Sequence, residues 1–353
     1  MIHYIIRRLL QTIPLLFILS LMLFTLVNIV PGGPLAGQGR SRGMRPEKAA
    51  ILKRQMGLDQ PLPIQYVVWL VGNDWMAVDA DGDGVNESKG DRLGILRGDF
   101  GLSFRSKRPV LIEISERLLN TIYLVGIALV VTFLLAIPIG ILSAIKQYSP
   151  FDIGATTLSF MGQSIPAFWL GLILILIFYT WLENPFTGEA LLPPGGMQTL
   201  GYESTGTFDL EMIWDRIKHL ILPVTVLLVG WVAWYSRFLR SSMLDVIHQD
   251  YIKAARAKGL HEKTVRYHHA LKNAAIPLIT MLALDIPFLF TGALYTELLF
   301  SWPGMGRLYY TAATGRDYPV LMAILIISAG LVFICNLLAD IGYAGLDPRV
   351  RFD

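Results

Sequence analysis

Long runs without Asp, Glu, Lys or Arg constrain this chain more than any other feature of its sequence. Six segments of the 353 residues are strongly apolar, and apart from the flanks of the fourth only the fifth contains a charge, at Asp285. A helix needs about 20 mostly apolar residues to cross the hydrocarbon core of a bilayer. The runs therefore predict an all-α membrane protein with six transmembrane helices. They cover residues 9–30, 118–145, 153–182, 219–236 (extended by its flanks to 217–239), 273–296 and 318–339.

The overall composition supports the same class of protein. Only 16% of the residues are charged, whereas a soluble domain is nearer a quarter charged. The net charge is +3, which gives no argument for binding nucleic acid. We therefore expect the chain to be surrounded by a lipid bilayer.

The distribution of the charges predicts an orientation. Six spans place both termini on the same side of the membrane. If that side is the cytoplasm, the inner segments carry a net charge of +6 and the outer segments carry −2. Short cytoplasmic loops are enriched in Lys and Arg. Both termini are therefore expected in the cytoplasm, with the protein in the inner (plasma) membrane.

The spans divide the chain into three parts. Residues 1–30 form the N-terminal cytoplasmic end and the first span, and residues 31–117 form a small extracytoplasmic subdomain. A helix is expected at 46–58 within that subdomain. Residues 118–353 form the core, with spans two to six and a long inner loop at 237–272.

This inner loop combines positive charge with a helix–glycine–helix pattern. Asp250 begins a short helix and Lys258 ends it, as the helix dipole favours, and Gly259 stops it. A second short helix at 262–271 leads into span five. Such an element at the inner face would suit docking to a cytoplasmic partner. The alternative is a solvated basic loop that only follows the positive-inside rule.

Motifs in and around this loop resemble a known family. YIKAARAKGL at 251–260, followed by HALKNAAIP at 269–277, resembles the EAA loop of ABC importer permeases. Lys253 and Lys272 replace the Glu and Pro of the general pattern, as is usual in the dipeptide/oligopeptide branch. Four further matches follow in order: RRLL to PGGP within 7–34, RGDFGLS at 97–103, ELLFSWPGMG at 297–306 and DPRVRF at 347–352. The chain is similar to the first of the two permease subunits in a type I importer.

The resemblance implies a permease subunit that imports dipeptides or oligopeptides and is not itself an enzyme. It implies a heterodimer with a second, homologous permease and an extracytoplasmic substrate-binding protein. Two cytoplasmic subunits would bind ATP with Mg²⁺, and this chain contains no GKS or GKT of a phosphate-binding loop. The resemblance assigns contact with one ATPase to Lys253, Ala254, Ala255, Gly259 and Leu260. The residues that match the family's motif after span five are Glu297, Pro303, Gly304 and Gly306.

An acidic stretch at 79–87 has the spacing of a calcium-binding loop. Asp79, Asp81 and Asp83 fall at positions 1, 3 and 5 of an EF-hand-like loop, and Val85 and Glu87 at positions 7 and 9. The bidentate Glu of position 12 is missing. The spacing predicts a weak structural Ca²⁺ site, and the alternative is a solvated acidic turn.

Asp285 lies in the middle of span five. An acid at that depth is a candidate functional residue, here one that faces the pathway and meets a substrate amine. The alternative is a hydrogen-bonded or protonated packing residue.

Three other functions remain as alternatives. The same machinery could import an oligosaccharide, a nickel chelate or an opine. An intramembrane enzyme would pair Asp285 with Asp340, although the two lie at different depths. A secondary transporter would show an inverted internal repeat, and none is evident in the sequence.

Overall fold

The computed structural model describes residues 2–31, 33–35, 53–54, 57–78, 88–185, 188–199, 201 and 210–346. Three sequence predictions fall wholly or mostly outside these residues. They are the calcium-binding loop at 79–87, the helix at 46–58 and the C-terminal motif at 347–352. They stay predictions.

The described residues are mainly helical, as the sequence predicts. In chain order the α-helices are α1 (Ile2–Ile29), α2 (Leu62–Val71), α3 (Val110–Ile145), α4 (Pro150–Ser164), α5 (Ala167–Ile175), α6 (Leu210–Ile247), α7 (Asp250–Ala257), α8 (Glu262–Thr264), α9 (Leu271–Asp285), α10 (Phe288–Thr291), α11 (Leu294–Leu299), α12 (Met305–Gly315) and α13 (Tyr318–Leu346). Two π-helical segments, Leu176–Trp181 and Val265–Ala270, continue α5 and α8, and 3₁₀ turns lie at Gly33–Leu35 and Ile95–Arg97. A minimal antiparallel pair joins β1 (Ala77–Val78) to β2 (Ser88–Lys89).

The chain forms two compact units. The first comprises Ile2–Arg117 and Leu308–Phe333, and the second comprises Leu118–Arg307 with the chain from Ile334 onward. In the first unit an aromatic cluster of Phe24, Tyr66 and Trp69 packs with Met322. The core of the second unit surrounds α6 and is built from Tyr235, Leu239, Met243 and their neighbours on α3, α7 and α9.

Two glycines bring α6 close to its neighbours in the second unit. A Cβ on Gly140 of α3 would lie 2.8 Å from the Ser236 carbonyl oxygen, and one on Gly162 of α4 would lie 2.9 Å from a Val229 methyl group. Side chains at these positions would hold the helices apart. The glycines therefore fix where α3 and α4 cross α6.

The number of spans is only partly supported. Among the described residues, four helices are long and apolar enough to cross a membrane: Ile6–Ile29, Val110–Ile145, Leu210–Ile247 and Tyr318–Leu338. The predicted third span is the pair α4 and α5, bent by 95° where Pro166 interrupts the helix. Counting that pair as one span gives five. The predicted fifth span is divided among α9, α10 and α11, with Gly292 at φ +84° between the last two. A multi-pass helical protein is supported, and the total of six stays a prediction.

Candidate functional site

The inner loop contains the short helix that the sequence predicts. Helix α7 begins after the extended Gln249 and ends at Ala257. Gly259 follows at φ +78°, where its N–H donates to the Arg256 carbonyl oxygen at 2.9 Å. A left-handed residue after a helix favours glycine because other residues meet their own Cβ there. The helix and its glycine stop are therefore confirmed.

The five residues that the resemblance assigns to the ATPase contact differ in how exposed they are. Lys253, Ala254, Gly259 and Leu260 are exposed. Ala255 is buried, together with Ile252, in the core around α6. The small side chain of Ala255 lets α7 lie close to its own core. Contact between these five residues and an ATPase stays a prediction.

Polar contacts connect α7 to the start of α9. Glu262 accepts from Arg256 Nε at 2.8 Å and from Arg266 Nε at 3.0 Å. The hydrogen bond from Arg256 holds the pKa of Glu262 below its ordinary value. The Asn273 amide donates to the Tyr251 hydroxyl at 2.9 Å. These contacts make the helix–glycine–helix element a connected body, which the sequence analysis did not predict.

A second ion pair at the start of α4 was also missed. Both oxygens of Asp152 accept from Arg240 of α6, at 2.6 and 2.7 Å, and the Tyr148 N–H donates to the same carboxylate at 2.8 Å. Asp152 is only 2% exposed. The pair joins the start of α4, just after the loop from α3, to the C-terminal half of α6.

Asp285 has a partner inside its own chain. The Tyr235 hydroxyl donates to the Asp285 carboxylate, and the Tyr235 ring lies 4.7 Å from that of Phe133. This contact is the one expected of a hydrogen-bonded packing residue. The side chain of Asp340, the other half of the hypothetical catalytic pair, lies outside the described side chains. Among the described residues, no group of three or more His, Cys, Asp or Glu could hold a metal ion.

The motif after span five forms a buried cluster around the carboxylate of Glu297. Glu297 is fully buried, and it accepts from the Thr121 hydroxyl at 2.9 Å and from the main-chain N–H groups of Ala293 and Arg307 at 3.2 and 3.0 Å. Thr121 in turn accepts from the Met305 N–H at 2.7 Å. A buried carboxylate needs such donors to offset its lost hydration.

The other motif residues make room for this cluster. A Cβ on Gly304 would lie 2.5 Å from Glu297 Oε2, and one on Gly306 would lie 2.7 Å from the Leu294 Cα. The Pro303 carbonyl oxygen accepts from the Asn120 amide at 2.9 Å. The residues of this motif therefore shape the turn between α11 and α12.

The motif RGDFGLS also organises its surroundings within the first unit. Arg97 pairs with Asp74 through two hydrogen bonds of 2.7 and 2.6 Å, and this contact holds the pKa of Asp74 below its ordinary value. Ser103 donates to the buried Asp317 at 2.6 Å, and the Phe104 N–H donates to the same carboxylate at 3.0 Å. These contacts join residues more than 200 positions apart, at the turn between α12 and α13.

Comparison with known proteins assigns the family. The model of the binding-protein-dependent transport system inner membrane component matches residues 136–352, and the model of its N-terminal region matches residues 1–125. The oligopeptide transport system permease protein AppB of Bacillus subtilis is 39% identical over 350 residues, covering 99% of each chain. The dipeptide transport system permease protein DppB of Escherichia coli K12 is 35% identical over 362 residues, again covering 99% of each chain.

A solved structure is more distantly similar. A chain of the MetNI methionine ABC transporter in an inward-facing conformation has a TM-score of 0.49 and 16% identity, covering 67% of this chain and 98% of that one. The assignment depends on the family models and the full-length relatives. This chain belongs to the family of binding-protein-dependent transport system inner membrane components.

Proposed function

We propose that this protein is the first permease subunit of an ABC importer for dipeptides or oligopeptides. The observation that carries the proposal is the 35–39% identity, over nearly the whole chain, to relatives named as dipeptide and oligopeptide permeases. The chain is a multi-pass inner membrane component, and ATP hydrolysis belongs to separate subunits of such systems. Import of an oligosaccharide, nickel chelate or opine by the same machinery is the alternative.

The arrangement around this chain follows from its family. A second, homologous permease forms the other half of the pathway, two ATP-binding subunits lie at the cytoplasmic face, and a binding protein delivers substrate outside. Six spans with both termini in the cytoplasm are supported by the net charge of +6 on the inner segments against −2 on the outer ones. Residues 31–117 then lie on the binding-protein side.

The exposed side of the inner loop is proposed to contact one ATPase. Lys253, Ala254, Gly259 and Leu260 are available to another protein, whereas Ala255 and Ile252 attach α7 to the core around α6. A displacement of α7 by the ATPase would therefore reach α6 directly. Such rigid-body movement is the usual basis of alternating access.

Substitution of Gly259 tests both the transport and the coupling. The complete importer, with its binding protein, is reconstituted in proteoliposomes, and peptide uptake and ATP hydrolysis are measured together. A Glu at Gly259 strains the left-handed backbone and projects from the proposed contact surface. We expect Gly259→Glu to abolish uptake while ATP hydrolysis and membrane insertion persist.

Gly188→Glu is the matched control. Gly188 has a comparable φ of +70°, but it lies in the outer loop. As at Gly259, no atom of the described residues beyond its chain neighbours lies within 4 Å of an added Cβ. Its substitution should leave coupling intact. Wild-type uptake by Gly259→Glu would overturn the coupling proposal, and a wild-type importer that carries no peptide would overturn the proposed substrate.

A structural Ca²⁺ site in the outer loop is proposed separately. It depends only on the spacing of Asp79, Asp81, Asp83, Val85 and Glu87. Calorimetric titration with Ca²⁺ should give binding with a Kd of roughly 10⁻⁴–10⁻³ M that the double substitution Asp79→Ala/Asp81→Ala removes. Identical titrations of the two proteins would refute the site.

A further inference from the structure

Arg237 places its charge deeper in the membrane than the sequence suggests. The sequence places it at 237, where the inner loop at 237–272 overlaps the extended end of span four at 239. In the structure its Nη2 donates to Gln163 Oε1, and its Cζ lies 4.4 Å above the Phe160 ring. Gln163 lies about 16 Å further along α4 than Asp152, whose pair with Arg240 marks the cytoplasmic end of that helix. The Arg237 guanidinium is therefore turned towards the middle of the bilayer.

The charge of Arg237 has no counter-ion among the described residues. Among the described residues no Asp or Glu forms an ion pair with it within 4 Å, and the groups that it contacts, on Gln163, Ala233 and Phe160, are neutral. Of the five N–H groups of a guanidinium, one donates to Gln163 and one, on Nε, donates to the Ala233 carbonyl oxygen at 3.2 Å. The three remaining N–H groups, two of them on Nη1, are enough to receive both oxygens of a carboxylate.

The charge of Arg237 does not suit contact with lipid. Arg237 is half-buried, and Phe160, Gln163 and Trp234 beside it are exposed in the isolated chain. An ionised side chain within a membrane almost always faces the interior of a helix bundle or a water-filled cavity, because hydrocarbon cannot solvate it. In a two-permease importer the interior that meets this condition is the pathway between the two subunits.

We propose that Arg237 binds the carboxylate of the peptide as it passes through the pathway. This inference rests on the proposed function, since every unmodified peptide carries a C-terminal carboxylate. A planar guanidinium is suited to bidentate binding of a carboxylate, and Phe160 supports its face. Gln163 supplies a neutral acceptor when no substrate is present. A charged substrate oxygen competes well with that amide because charge-assisted hydrogen bonds are the stronger ones.

The test compares two forms of one peptide in the complete reconstituted importer. Trialanine with a free C-terminal carboxylate and trialanine amide are transported by wild type and by Arg237→Gln at saturating binding protein. Calorimetry first fixes the concentrations at which the binding protein is saturated with each form. Because the binding protein is the same in both importers, a change in the acid-to-amide ratio of uptake rates comes from the permease. Loss of one charge-assisted contact predicts that Arg237→Gln lowers this ratio about tenfold.

Two further variants separate recognition from a structural role. Arg237→Lys keeps the charge and should keep most of the preference for the acid. Gln163→Met removes the hydrogen bond between Gln163 and Arg237 but leaves Arg237 in place, so the acid-to-amide ratio should remain that of wild type. Co-purification of all subunits verifies that each variant assembles.

The other possible results contradict the inference alone or the proposed function as well. If Arg237→Gln and Gln163→Met slow both peptides equally, Arg237 only connects two helices and the inference is wrong. If wild type carries trialanine without any preference that depends on Arg237, the inference fails while the proposed function stands. If wild type carries neither peptide, both fail.

Discussion

Substitution of Gly304 by alanine tests the buried cluster around Glu297. The added Cβ would lie 2.5 Å from both Glu297 Oε2 and Thr121 Oγ1, well inside van der Waals contact. Neither atom can move freely, since each takes part in hydrogen bonds within the cluster. Overpacking costs about 1–3 kcal/mol, and a hydrogen bond lost by a buried group costs about 1–3 kcal/mol more. We expect Gly304→Ala to lower the free energy of unfolding by about 2–6 kcal/mol.

Equilibrium unfolding of the purified permease in mixed micelles, titrated with a denaturing detergent, measures this loss. Gly154→Ala is the control, because Gly154 lies inside α4 and, in the part of the chain that the structure describes, no atom outside its own helix backbone lies within 4 Å of an added Cβ. Replacing an unstrained helical glycine should be neutral or stabilise by up to about 1 kcal/mol. Equal stability of Gly304→Ala and Gly154→Ala would refute the packing argument.

Three further predictions use the other polar contacts. Asp152→Asn should lower the free energy of unfolding by about 3 kcal/mol in the same titration, because Arg240 loses its counter-ion; unchanged stability would show that the pair contributes little. Because the pKa of Glu262 is lower in the folded protein than its ordinary value of about 4.3, its ion pairs stabilise the fold fully above that ordinary pKa. This stability is lost as the pH falls through the lower pKa of the folded protein. Glu262→Gln protein should therefore lose less stability than wild type on acidification from about pH 6 to about pH 3, and parallel losses would contradict this. Asp285→Asn should slow uptake of peptides with a free amino terminus more than uptake of N-acetylated ones if Asp285 faces the pathway; equal rates would leave its contact with Tyr235 as its role.

Features that depend on residues close together in the chain were predictable from the sequence. Helix α7 and its stop at Gly259 follow from a charge at each end and a glycine beyond, which are local signals. The limits of the spans were less predictable. Hydropathy ends span four near residue 239, yet α6 continues to Ile247 because no Gly or Pro interrupts 237–247. Hydropathy reports the edge of the membrane, whereas the helix ends where the backbone must change direction.

Contacts between distant residues could not be predicted from one sequence. Asp152 and Arg240 are 88 positions apart, and Thr121 and Glu297 are 176 positions apart. Each of these side chains is polar in the sequence and would be expected at a surface. Their pairing depends on how helices distant in sequence pack, and that is decided by close approaches such as those at Gly140, for α3 and α6, and at Gly304, beside Thr121 and Glu297. The depth of Arg237 was missed for the same reason, since its partner Gln163 belongs to another helix.

The motif residues of this chain are either buried or exposed, and this difference decides whether a stability or a coupling measurement tests each of them. Glu297, Gly304 and Gly306 are buried in a cluster whose contacts all lie within the chain, so the fold alone accounts for these residue types. The exposed Leu260 and Ala254 satisfy no comparable packing requirement in this chain. Substitutions in the first group should therefore appear first as lost stability. Substitutions in the second should leave stability unchanged and alter only how ATP hydrolysis is coupled to uptake.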